Sequence, residues 1–448
     1  MNGPALRTFY ALAVTQTLSL IGSRMSSIAV GIWVFTETNS TAPVLLVAFF
    51  NEVPAMIGGS LAGVLADRWD RRWVMALADA GQALGTLALL GSIAAGAFEL
   101  WHLYVVALAQ GVFATFQQPA ADAAITMLVP ERHLDRANGI RQMAFPLAGV
   151  IAPVLTGMLY AVVGIGGVIA IDVVTFIVSV AVLVAVRIPR PAQTGEGAQA
   201  QGTFWRELRG GFRFLLARRP LLLLIGYLTA INFLLNGPLD LSLPYLITVT
   251  GSEQTAGLIL GAMSAGALVG AAGITVRGGA RRRVPVLLAG MLVTGALFLV
   301  YGTVREPALL ALALFALMIP LPVSNTLFVS ILQVKTPPDM QGRVFAIAFQ
   351  VAFLITPLSF VITGPLVDNV LEPAVGTAAW GLVAPLAGSE PGAGMGLVLV
   401  GTGALILALT ALAWALPALR RLESALPDYE AAADAPAVAL AAAGAGND

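Results

Sequence analysis

Six charged side chains stand inside long apolar runs of the first 186 residues: Arg24, Glu52, Asp79, Asp122, Arg141 and Asp172. A charge at the centre of a bilayer costs at least ~2.5–3.5 kcal/mol on insertion scales, so each one requires a partner or a purpose. The chemistry open to them is proton exchange and ion pairing, since a carboxylate changes protonation with its surroundings while a guanidinium stays charged. Arg24 and Glu52 are the sharpest pair. They flank the segment Glu37–Thr41, each about eleven residues in from it, or roughly 16 Å deep at 1.5 Å per residue. Two readings stand for them. Glu52 is a proton-binding carboxylate that lines a cavity and is switched when substrate or a moving helix disturbs Arg24, or the two form a permanent ion pair that fixes helix packing.

A second constellation is GVLADRWDRR, Gly63 to Arg72, with five formal charges between two apolar runs. Asp67 sits where a helix should end, and a helix C-terminus disfavours an acid by ~0.3–1 kcal/mol unless another group compensates. The N-terminus of a helix beginning just after Arg343 is the expected compensation. Asp79 and Asp122 fall near the same ends of their own runs, and Asp172 falls in a water-reached outer third with a structural role. Asn232, Asn236 and Asp240, spaced by four, share one helical face. With Gln117, Asn325 and Gln350, the two asparagines are candidates for hydrogen bonding a substrate, or for helix contacts. Asp240, beside Pro238 and Pro244, is placed near a helix end.

The elements that position these groups are membrane spans. The chain has 448 residues, 58% hydrophobic and 11% charged, against about 25% charged in soluble domains. Runs long enough to cross a bilayer lie at 9–35, 42–66, 73–98, 103–129, 139–163, 164–186, 221–250, 255–276, 284–304, 308–334, 344–367 and 392–419. Both termini then share a side, and the arginines gather in the loops of that side while only Arg305 appears opposite, which places the termini in the cytoplasm of a cell-membrane protein. The expected organisation is a six-helix bundle over 1–187, a linker with an amphipathic segment over 188–220, a second bundle over 221–420 and a disordered tail over 421–448. The last five runs contain no Asp, Glu, Lys or Arg, so ion coupling is expected in the first half. The halves repeat: Gly63, Asp67, Arg71 and Arg72 shifted by 210 lie over Gly273, Arg277, Arg281 and Arg282, and Pro130, Arg136 and Thr156-Gly157 shifted by 207 lie over Pro337, Arg343 and Thr363-Gly364. Such repeats build transporters with a midplane site. Balanced charge argues against nucleic acid, and the absence of cysteines, of HExxH and of a phosphate loop argues against an enzyme or an ATP-driven pump.

Gly63-x3-Asp67-Arg68-x2-Arg71-Arg72 between the second and third spans resembles the signature loop of the major facilitator superfamily. The stretches GSRMSSIAVGIWVF, GVLADRWDRRWVM and PAADAAITMLVPERHLDRANG resemble its drug:proton antiporter branch, which contains macrolide-efflux proteins and the enterobactin exporter. The resemblance implies an all-α fold of two pseudo-symmetric six-helix bundles. It implies an inner gate of Asp67, Arg71 and Asp122, joined by Asp79 and Arg141, with Arg68 and Arg72 beside it as topology signals. Gly139-x8-Ala148-x3-Ala152-Pro153-x2-Thr156-Gly157 is similar to the antiporter motif of the fifth span, with Ala or Thr at three glycine positions; ordinary small-residue packing accounts for it equally. The expected function is proton-coupled export of small amphipathic or lipophilic compounds by a monomer that needs lipid and protons but no cofactor. Uptake by symport is the alternative.

Overall fold

The computed structural model describes residues 4–129, 134–186, 212–337 and 340–429, and every regular element among them is helical. The first half holds α1 (Pro4–Thr38), α2 (Thr41–Arg68), α3 (Arg71–Ala94), α4 (Leu100–Leu128) and α5 (Leu134–Ala185). Local chemistry sets the stops. Asn39 turns the chain at φ 48° between α1 and α2, and the Asp70 side chain caps α3 by accepting from the Arg72 N–H at 3.1 Å. At 52 residues, α5 is roughly 78 Å long, far more than one ~30 Å crossing. It breaks at Gly164, whose φ 64° and ψ −175° are essentially reserved for glycine, and its two arms are the fifth and sixth spans.

The second half runs α6 (Arg219–Asp240), α7 (Ser242–Thr250), α8 (Glu253–Arg277), α9 (Arg283–Thr303), α10 (Pro307–Met318), α11 (Pro320–Lys335), α12 (Gln341–Phe353), α13 (Thr356–Leu366) and α14 (Ala393–Ala415). The pairs α6–α7, α10–α11 and α12–α13 are single spans with an interruption; α13 continues through a π-turn at Val367–Leu371 to Ala374. Ten stretches among the described residues are long and apolar enough to cross a membrane. One of these, Gly139–Ala185, contains the Gly164 break and counts twice, and the 29-residue α4 adds another, in keeping with twelve spans. The solvent that shaped the outside is hydrocarbon: Val162 and Val276 are 80% and 89% exposed, while Asp79 is 0% exposed.

One end of the helices carries the α2–α3 turn and the C-terminal segment, here the terminus end; the other carries the α1–α2 turn, here the far end. At the far end Ile32, Phe35 and Leu45 belong to the same buried apolar cluster as Leu221, Tyr245 and Leu399, so the core of the second half reaches across to the first.

Two expected boundaries need correction. The tail assigned as disordered from 421 begins with a docked segment: Leu422–Ala425 is a helical turn, Glu423 accepts from the Arg283 N–H at 2.7 Å, and the Tyr429 N–H donates to Val334 O at 2.8 Å. The cause is Lys335, only 3% exposed, whose ammonium donates to Glu423 O, Leu426 O and Asp428; a buried cation needs that covering. The linker assigned to 188–220 ends sooner, because α6 begins at Arg219 with Pro220 in its first turn. Phe204, Trp205 and Leu208 of the expected amphipathic segment lie outside the described residues, as does most of that linker.

Candidate functional site

The two halves meet at the far end of α2 and α13. The Asp368 carboxylate, in the π-turn after α13, accepts from Ser40 Oγ at 2.6 Å, the Thr41 N–H at 2.9 Å, Thr41 Oγ1 at 2.8 Å and the Ala42 N–H at 2.7 Å. An acid of one half thus caps the N-terminus of a helix of the other, where the free N–H groups and the positive end of the dipole favour it. Backbones are in near contact beside it: a Cβ on Gly364 would lie 2.6 Å from Ala42 Cα. The α5–α8 seam closes in the same way, with a Cβ on Gly257 meeting Pro153 O at 2.5 Å and one on Gly157 meeting Gln254 Cα at 3.1 Å.

Toward the terminus end the described glycines of the same spans make no such close approach. A Cβ added to Gly58 or Gly59 of α2, or to Gly342 of α12, would meet nothing within 4 Å. Between α2 and α12–α13 lies a cavity of about 310 Å³ with Glu52, Met56, Phe349, Gln350, Phe353 and Thr356 in its wall. Gln350 donates to Met56 O at 3.3 Å across it. Glu52 is exposed there and makes no hydrogen bond or ion pair among the described residues. Thr356 Oγ1 is buried without a partner. Asp240 of α6 is close enough for its carboxylate and that of Glu52 to interact through space. Glu52 is eleven residues from the far-end start of α2 and Asp240 is eleven from Gly251, so the two halves each bring an acid to a depth of roughly 16 Å. Asp240 is the last residue of α6, as expected of an acid near a helix end, while the span itself continues through α7, with Pro238 and Pro244 on either side of the break at Leu241.

The sequence-level pairing of Arg24 with Glu52 is not present. The Arg24 guanidinium lies over the Phe145 ring, 4.2 Å from its centroid, facing α5, while Glu52 faces α12–α13. Equal depth gave the two a common level, but the direction in which each side chain leaves its helix separates them. Gln117 is likewise drawn into the first half. It donates to Asp79, which also accepts from Gln16 Nε2 at 2.9 Å and Ser179 Oγ at 2.6 Å; Gln82 donates to Gln117 at 2.9 Å. Asp79 is the centre of a closed network joining α1, α3, α4 and α5. Asp172 is 1% exposed and accepts from Ser23 Oγ at 3.2 Å, so water does not reach it as expected.

Asn232 and Asn236 serve helices. The α12–α13 span is interrupted just before Pro357, which has no N–H for Phe353 O. Asn232 Nδ2 donates to Ala352 O at 3.0 Å and Thr229 Oγ1 to Val351 O at 3.0 Å, both carbonyls at the break, and Asn236 donates to Asn232 O at 2.7 Å. Asn325 is exposed and outside the cavity wall. Ala148 and Ala152 are fully buried in α5, Pro153 and Gly157 form the α8 seam, and Gly139 meets nothing. Arg72 donates to Leu183 O at 2.8 Å and to Val184 O, capping the sixth span within its own half. Arg71 Nε is buried without a partner, and Arg141 is half-buried. Gly63, Asp67, Arg68 and Asp122 lie outside the residues whose side chains are described. Nothing in the sequence pattern singles out Asp368: it falls one residue past the run ending at 367, where a loop acid is unremarkable.

The macrolide efflux protein A of Streptococcus pyogenes is 25% identical over 384 residues, 81% of this chain and 90% of that protein. The enterobactin exporter of Salmonella choleraesuis is 28% identical over 408 residues, 88% and 90% of the two chains. Among solved structures, a bacterial homologue of the human lysosomal transporter Spinster, in an inward-facing and unoccupied conformation, superposes with a TM-score of 0.72 at 16% identity, covering 94% of this chain and 99% of its own. The profile described as Major Facilitator Superfamily matches residues 12–360. With an all-helical membrane fold and that match over most of its length, the chain belongs to the major facilitator superfamily of transporters.

Proposed function

We propose that this transporter exports small amphipathic or lipophilic compounds in exchange for protons, with both termini in the cytoplasm and Glu52 as the proton-carrying group. The observation that carries the reading is Glu52 itself: an acid at mid-depth, without a cation or hydrogen-bond donor, in a mostly apolar cavity between the halves. An acid with a partner, such as Asp79, has no reason to change its charge during a cycle; an unpartnered acid is stable in such a place once protonated or once a substrate covers it. Closure at Asp368, with no such close approach among the described glycines toward the terminus end, gives that cavity one open side, which is what alternating access requires. The relatives named for efflux support the direction, and the arginine-rich loops support the orientation. Macrolides, siderophores and lipophilic cations are the compounds to try.

Inverted vesicles loaded with acid and followed by a pH dye provide the test. Adding a transported compound is expected to release protons from wild-type vesicles, and Glu52→Gln is expected to abolish that release while leaving the protein folded. If Glu52→Gln exchanges protons like the wild type, Glu52 is not the carrier. If the panel is silent in vesicles but taken up by whole cells, uptake replaces export.

A further inference from the structure

The second copy of the repeated loop, at the terminus end of α8 and α9, differs from the first in two ways that together make a site. Where the first copy has Asp67, the second has Arg277, so its acid is gone. Where Arg72 is occupied by the carbonyls of Leu183 and Val184, Arg282 has no partner among the described residues. Among the described residues Arg277, Arg281 and Arg282 make no hydrogen bond, ion pair or ring contact. The turn that gathers them is tight: Gly278 and Gly279 have φ 75° and 88°, and both N–H groups donate to Ile274 O. The three guanidiniums stand at the mouth of a cleft of about 1160 Å³, and no acid is among its lining residues.

Three cations in one mouth repel each other unless an anion joins them, and guanidinium forks suit phosphate oxygens. Below the mouth the walls are aliphatic, with Val269, Val286 and Ile319 along them. Val269 and Val286 are also exposed, so this apolar wall has no protein covering it. We infer that this cleft binds one anionic phospholipid, its phosphate on Arg277, Arg281 and Arg282 and an acyl chain along the valine-lined wall. A free anion would satisfy the charges but leave the apolar walls uncovered; a lipid covers both.

The test uses the full chain, purified and placed in nanodiscs of mixed phosphatidylglycerol and phosphatidylcholine, with retained lipid read by native mass spectrometry after detergent extraction. Wild type is expected to retain phosphatidylglycerol over phosphatidylcholine by roughly tenfold or more. The triple substitution Arg277→Gln, Arg281→Gln, Arg282→Gln is expected to lose that preference, and the paired control Arg420→Gln, Arg421→Gln to keep it. Should the triple variant not survive purification, Arg281→Gln and Arg282→Gln are read singly, each with several-fold loss expected. An unchanged preference in these variants overturns the site. Displacement of the retained lipid by millimolar inorganic phosphate overturns the lipid as its occupant.

Discussion

Asp79 and Glu52 are both acids within spans of the first half, and their surroundings divide them. Asp79 is fully buried and accepts from Gln16, Gln117 and Ser179 on three other segments. Its work is to hold α1, α3, α4 and the second arm of α5 together. Asp79→Ala leaves three donors facing a hole, at a cost of about 1–3 kcal/mol, and should lower the unfolding temperature of the detergent-solubilised protein measurably. The same change at Glu52, which has nothing to lose among the described residues, should leave that temperature close to wild type. Equal losses in a fluorescence melt would remove the distinction between the structural acid and the exchangeable one.

At the scale of the element, helix ends decide the closure. Asp67 suggests an acid of one half bridging to a helix N-terminus of the other, between the second and eleventh spans at the terminus end. The described contact joins the same two spans by the same physics at the opposite end, with Asp368 as the acid and α2 as the helix. Hydrogen bonds to a charged group contribute about 1.5–3 kcal/mol each. Asp368→Asn removes the charge and turns one acceptor into a donor, so far-end closure should weaken at least roughly tenfold. The sequence has no cysteine, which makes Ala55→Cys, on the cavity wall, a unique reporter. A membrane-impermeant maleimide supplied at the far side should label it faster in the Asp368→Asn background; identical rates would mean that Asp368 does not hold the gate. The break before Pro357 belongs to this scale too, because Asn232 and Thr229 each donate to one of its carbonyls.

Across the whole molecule the two halves differ in how their charges are used. The first half buries Asp79 and Asp172 in its interior, while the second ties its last segment to the terminus end through Lys335. Ending the chain after Arg421 removes Glu423, Leu426 and Asp428 from the Lys335 ammonium. Because the same cut lets water reach that cation, the expected cost is about 1–3 kcal/mol and not the ~3–5 kcal/mol of a sealed unpaired charge. Adding Lys335→Met to the truncated chain should restore part of the lost unfolding temperature; no recovery would show that the segment acts by packing alone.

Composition and run length were sufficient for the membrane class and the twelve-span count, because a bilayer demands about twenty apolar residues per crossing whatever the neighbours are; the superfamily was legible only through the resemblance of the Gly63–Arg72 loop to a family signature. The repeat and the loop charges were legible for the same reason: they are properties of linear order. What linear order does not carry is azimuth, and azimuth decides whether equal depth means contact. Arg24 and Glu52 face different helices, whereas Glu52 and Asp240, 188 positions apart, are close enough for their carboxylates to interact through space. Asp368 caps the start of α2 only because α13 runs on past its apolar stretch. Those pairings exist because helices from distant parts of the chain pack against one another, and only the tertiary structure could decide them.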